Sequence, residues 1–211
     1  MSYIGKIGAS RISENLLIDL QRAESSHKSG LPMKAIKLDT GWELGVDGLW
    51  RYELADPFKD TSSIENYIKP RFGEPINIRM LLSDQTIFSG YPEFEDLILY
   101  AMYSPQRGTA GYYNPVTKGM VVSMGAPSDD FEYQIEGVLL HEIQHLIQEI
   151  EGFARGGDPK RFGRRIYKRL AGEVEARNIC HRHSLSIDKR RNTLRTDTQD
   201  VLDNNQIIIF R

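Results

Sequence analysis

His141-Glu142-Ile143-Gln144-His145 places two imidazoles four residues apart, with a carboxylate directly after the first. Residues four apart on an α-helix differ by about 40° in azimuth and one turn in height, so both rings can meet a single cation. The glutamate beside the first histidine does not reach that cation comfortably. It does reach a water in a fourth coordination position and can take its proton. Counting outward from Ile135 at about 100° per residue, Val138, Leu139, Ile143, Leu146, Ile147 and Ile150 fall on one apolar stripe. The spacing predicts a helix from about Asp130 to Glu151, stopped by Gly152, with its back in the core and His141, Glu142 and His145 facing a cleft.

A catalytic zinc site needs a third protein ligand and one open position. Cys180 is the single cysteine, which excludes an internal disulfide framework and a multi-thiolate cage and leaves imidazole and carboxylate as donors. Candidates are His181, His183, Glu149, Glu173 and Glu175. A second helix is expected from about Phe162 to His183, after the Gly156-Gly157-Asp158-Pro159 break. On it Glu175 shares a face with Arg164, Lys168 and Arg182 and reads as wet, whereas Glu173 lies among Ile166, Leu170 and Cys180. A carboxylate on the less polar edge needs a partner, and a metal supplies one, so Glu173 is the expected third ligand. Arg177, four residues on, is expected to orient it, and Glu149 extends the row beyond His145. Tyr112, Tyr113 and Tyr167 are candidate donors to a developing oxyanion, as are His181 and His183 if one faces the cleft; otherwise these histidines suit a helix C-terminus.

The rest of the chain frames this site. At 211 residues and 40% hydrophobic content, a single domain over 1–211 with a real core is expected. A net charge of -2 gives no global reason to expect nucleic acid or an acidic membrane as partner. The first residues lack a secretory pattern and no run of about 18 apolar residues occurs, so a cytoplasmic protein is expected. Ser13 and the apolar positions after it predict a helix ending near Gly30. From Ala35 to Ala55 the pattern turns β-like, with Trp42-Glu43-Leu44 and Leu49-Trp50-Arg51-Tyr52 flanking a Gly45-Val46-Asp47-Gly48 turn and both tryptophans in the core. Leu97 to Tyr103, Gly111 to Tyr113 and Met120 to Met124 read as a central sheet with a turn at Asn114-Pro115. Residues 184–205, with Lys189-Arg190-Arg191, read as loop or partly mobile surface, and Ile207 to Phe210 as an edge strand.

The run from His141 to Gly157, followed by Ala171-Gly172-Glu173-Val174-Glu175-Ala176-Arg177-Asn178, resembles the metallopeptidase-like domain of large polyvalent proteins from bacteriophages and conjugative elements. The resemblance extends to Thr40 to Leu54, to Tyr91-Pro92-Glu93-Phe94-Glu95-Asp96 and to Thr198-Gln199-Asp200-Val201, and is least clear over 1–30 and 55–80. A shorter likeness joins the glutamate motif to that of ImmA/IrrE-type peptidases. The resemblance implies a gluzincin zinc site of His141, His145 and Glu173, with Glu142 as general base, acting on a protein or peptide substrate. The expected fold is α+β and zincin-like: a mixed sheet whose edge strand, Met120 to Met124, pairs with an extended substrate above the ligand helix. The alternative reading is an inert or structural-metal interaction module of a mobile-element protein.

Overall fold

The computed structural model describes residues 2–54, 61–82, 85–107, 110–114, 119–126 and 135–210. Pro115, of the expected Asn114-Pro115 turn, and the expected start of the ligand helix at Asp130 lie outside the described residues, whereas Asn114 ends a strand. The fold is mixed α+β with two small sheets. Strands β1 (Ser2–Ile4), β2 (Trp42–Leu44) and β3 (Trp50–Leu54) form an antiparallel sheet in the order β1-β3-β2. Strands β4 (Pro75–Asn77), β5 (Ile98–Arg107), β6 (Ala110–Asn114) and β7 (Gly119–Ala126) form a mixed sheet in the order β4-β5-β7-β6, in which β5 and β7 are parallel. Helices α1 (Lys6–Ile12), α2 (Glu14–Lys28) and α3 (Met33–Thr40) lie before the β2–β3 hairpin. Helices α4 (Thr61–Ile68) and α5 (Gln85–Gly90) flank β4.

Helix α6 (Ile135–Glu151) packs against both sheets. Leu139, Ile143 and Ile147 are fully buried, as a stripe repeating every three to four residues requires. The side-chain amide of Gln144, within the histidine motif, pairs with Tyr3 as a strand would: Tyr3 N–H donates to its Oε1 (3.0 Å) and its Nε2 donates to the Tyr3 carbonyl (3.1 Å). Glu151 at the end of α6 accepts from the backbone N–H groups of Ile7 and Gly8 at 2.9 and 2.7 Å, which caps the N-terminus of α1. These two contacts tie the N-terminal elements to the ligand helix. No helix among the described residues is long and apolar enough to cross a membrane.

Several expectations require correction. Met120 to Met124 lie on β7, which is paired on both sides; the edge strands of that sheet are β4 and, next to β7, β6. The apolar content that marks a strand also suits an interior position, so composition does not distinguish centre from edge. The helix expected over 162–183 is three helices, α7 (Pro159–Phe162), α8 (Arg164–Tyr167) and α9 (Ala171–His183). Gly163, at φ +73°, and the extended Leu170 interrupt it. Residues 184–205 are not an open loop: they form α10 (Ile187–Asn192) and short 3-10 turns, anchored by Arg182 and Arg195. Arg182, with no exposed surface, donates to Glu53 and to the carbonyls of Arg190 and Leu194. The apolar end makes a single bridge, Leu170 to Ile207, and no strand. Trp42 is fully buried, whereas Trp50 is half-buried against His27.

Candidate metal centre

Helix α6 presents His141, Glu142 and His145 to an open cleft of about 950 Å³, and the first turn of α9 brings Glu173 to the same point. His145 Nε2 lies 3.0 Å from His141 Nε2, His141 Nε2 lies 3.3 Å from Glu173 Oε2, and His145 Nε2 lies 3.4 Å from Glu173 Oε1. Three ligands at zinc distances of about 2.0–2.1 Å in a tetrahedron stand about 3.3 Å apart, so the triangle fits such a cation. Glu173 Oε2 is buried and has no hydrogen-bond partner, although an imidazole nitrogen is close. A buried carboxylate oxygen without a donor is costly, and a cation at the centre of the triangle would satisfy it. The donor set of two imidazoles and one carboxylate suits zinc.

Glu173 and His145 are held by neighbours outside the triangle. Gly157 N–H donates to Glu173 Oε1 at 2.9 Å, the Tyr167 phenol lines the same cleft as that carboxylate, and the start of a helix favours negative charge there. Gly156 closes the other side: a Cβ at that position would stand 2.2 Å from Glu173 Oε1 and 2.6 Å from His145 Cε1, so the backbone approach requires glycine. His145 Nδ1 lies 2.8 Å from Gln148 Oε1. The Gln148 amide group donates to the Gly172 carbonyl (2.9 Å) and to Glu175 Oε1 (3.0 Å), which fixes its oxygen towards His145. His145 Nδ1 is therefore the donor of that bond, and in the neutral ring Nε2 presents its lone pair to the triangle. Glu175 is in turn held by Arg51 Nε at 2.8 Å, and both terminal nitrogens of Arg51 bond to Asp47 at 2.9 and 2.7 Å. A buried chain of Asp47, Arg51, Glu175 and Gln148 thus runs from the β2–β3 hairpin to a ligand.

Burial works against the charged form of His145, but the adjoining Glu173 carboxylate outweighs it and pushes the pKa up to about 9. Burial likewise works against the Glu173 anion, but His145 and His141 hold its carboxyl well below the usual range. Burial and then Glu173 raise the Tyr167 phenol, which therefore stays protonated and able to donate. In metal-free protein the His145 contribution to stability is complete below its ordinary value of 6.5 and is lost as pH rises through about 9. The Glu173 contribution is complete above its ordinary value of 4.5 and is lost as pH falls towards the depressed value. The melting temperature of chelator-treated protein is accordingly expected to peak between those ordinary values and to fall by a few degrees on the alkaline side. A flat alkaline limb in a thermal-denaturation series would contradict the coupling.

The remaining candidates separate clearly. Glu175 is not on a wet face: it is largely buried in the pair with Arg51, and Arg182 on the same helix is fully buried, because α9 packs its charged side against the N-terminal sheet. Arg177 does not orient Glu173; it bonds to Asp200 and to the Lys168 carbonyl. Glu149 is exposed at the rim of the cleft. His181 is exposed, and neither it nor His183 is among the residues lining the cleft. Tyr112, Tyr113 and Tyr167 all line it.

In comparison with known families, the model described as "Large polyvalent protein associated domain 23" matches residues 2–59. The match supports a setting in large polyvalent proteins of phages and mobile elements. It covers the segment holding Tyr3, Asp47 and Arg51 and does not reach the helices carrying His141, His145 and Glu173. No curated protein and no solved structure matches the chain.

Proposed function

We propose that the chain is a zinc-dependent peptidase of gluzincin arrangement, with His141, His145 and Glu173 as ligands and Glu142 as general base. The observation that carries this reading is the triangle of donor atoms around an unsatisfied carboxylate oxygen, with Glu142 on the wall of the same cleft. A cation held there would supply Lewis acidity, making a water nucleophilic near neutral pH and polarising the carbonyl it attacks. Glu142 takes the proton from the attacking water and returns it to the leaving nitrogen. Tyr167, held protonated, lines the same cleft with Tyr112 and Tyr113, and these phenols are the candidate donors to the developing oxyanion.

The fold is read as zincin-like because β6, an edge of the mixed sheet, runs along the cleft through Gly111, Tyr112 and Tyr113. An extended substrate can add to such an edge through its backbone. A Cβ at Gly111 would stand 2.7 Å from Val138 Cγ1 and 3.3 Å from Glu142 Oε1. Because Val138 is stiff in a helix and a misplaced catalytic group costs up to about 100-fold, Gly111→Ala is expected to lower turnover by roughly 10-fold or more. Metal uptake should be unchanged, and steady-state kinetics alongside metal analysis checks both.

New protein N-termini compared between cells expressing the chain and cells expressing Glu142→Gln test the reading. Termini present only with the active form are expected. Identical sets from both would overturn peptide hydrolysis.

A further inference from the structure

The α7–α8 segment at the rim of the cleft is strongly basic, although the exposed Glu149 also lies at that rim. Residues 155–169 hold seven of the 27 lysines and arginines and one of the 29 acidic residues, a local balance of +6 against -8 over the rest of the chain. Arg155, Lys160, Arg161, Arg164, Arg165 and Lys168 are all exposed, and none makes an ion pair among the described residues. The one acid, Asp158, is engaged in capping α7, where its Oδ1 accepts from Lys160 N–H at 2.7 Å. Arg155 and Lys160 line the same cleft as His141, Glu142 and Glu173, and α8 carries Tyr167 into it. Like charges clustered within fifteen residues of chain, without ion pairs among the described residues, repel one another, and a ligand of opposite sign relieves that repulsion.

We propose that the α7–α8 rim receives an acidic polypeptide segment, so that the site acts on bonds flanked by aspartate or glutamate. The inference rests on the peptidase reading and names its substrate class. The two cations inside the cleft connect rim and site, so one extended chain can occupy both. A nucleic acid fits less well. Helices α7 and α8 are four residues each, about 6 Å long, whereas duplex DNA carries a charge every ~1.7 Å and would run on over the remainder of the molecule. That remainder carries -8. Screening confines attraction to about 8 Å at physiological salt, which favours a short acidic run over a long polyanion.

Zinc-loaded Glu142→Gln protein, which retains the cleft without turnover, provides the test. Fluorescence anisotropy would compare a labelled twelve-residue peptide containing six glutamates, the same peptide with glutamine at those positions, and a twelve-nucleotide single-stranded DNA. The acidic peptide is expected to bind at least tenfold more tightly than the glutamine version. That preference should fall about tenfold in the added triple variant Lys160→Glu, Arg161→Glu, Arg164→Glu, and again at 0.5 M salt. Unchanged zinc content and circular dichroism in the variant establish that it is folded. Equal binding of the two peptides, or an unaffected triple variant, overturns the proposal; tighter binding of the oligonucleotide overturns it in favour of nucleic acid. Cleavage sites without acidic neighbours overturn the rim assignment and leave hydrolysis standing, whereas tight acidic binding with no cleavage by the unmodified chain overturns hydrolysis and leaves the rim's ligand class standing.

Discussion

Glu142→Gln is expected to bind zinc as the unmodified chain does and to lose between about 10² and 10⁴ in kcat, the range that general acid–base groups contribute. The substitution preserves the size of a side chain that is 7% exposed and packed near Val138 and Gly111, so the helix and its neighbours keep their positions. It removes only the ability to accept a proton. His141, the residue before it, and His145, three after it, still meet Glu173 across 3.3 and 3.4 Å. Metal content by mass spectrometry with single-turnover cleavage of a reporter peptide separates the two effects. A loss of metal with the loss of activity would mean that Glu142 serves the cage instead.

Arg51→Met should destabilise the protein by about 3–5 kcal/mol, the cost of breaking a buried ion pair from one side. Arg51 is 2% exposed, bonds to Asp47 with both terminal nitrogens and to Glu175 with Nε, and lies 3.4 Å above the Phe153 ring. Its removal leaves two carboxylates sequestered without their cation, and for a chain of this size the melting temperature falls by roughly 10 °C. The milder Glu175→Gln keeps the shape but lets the Gln148 amide turn, so the imidazole of His145 loses its fixed tautomer. Metal affinity is then expected to weaken about 10–100-fold, as for other groups that orient a ligand, measured by competition with a chelator. Undiminished affinity in that variant would show that the hairpin supports only the fold.

The second of these predictions could not be made from the sequence. Spacing within one helix is local information, and it placed His141, Glu142 and His145 on the cleft side of α6, with Glu173 the carboxylate that the structure brings to them. Glu175 and Arg51 are 124 positions apart, and nothing in the periodicity of either segment announces their contact. A row of charges on α9 reads as solvated because charged side chains are normally exposed. Here the partners come from β3 and the hairpin turn, and only tertiary packing supplies them. Ser13 marked α2 through its side chain, which accepts from Asn15 N–H, whereas α1 and α3 went unread: neither has a side-chain cap, and α1 starts against Glu151 from the far end of α6. The match of residues 2–59 to a domain of large polyvalent proteins carries no chemistry of its own, yet Tyr3, Asp47 and Arg51 within it make the hydrogen bonds that reach Gln144 and Glu175.

X-ray absorption at the zinc edge of the protein loaded with one equivalent of metal reads the cage itself. Two imidazoles, one carboxylate oxygen and one solvent oxygen at about 2.0–2.1 Å are expected, with one imidazole lost in His145→Ala. A shell of solvent oxygens alone, or a spectrum unchanged by that substitution, would contradict the account.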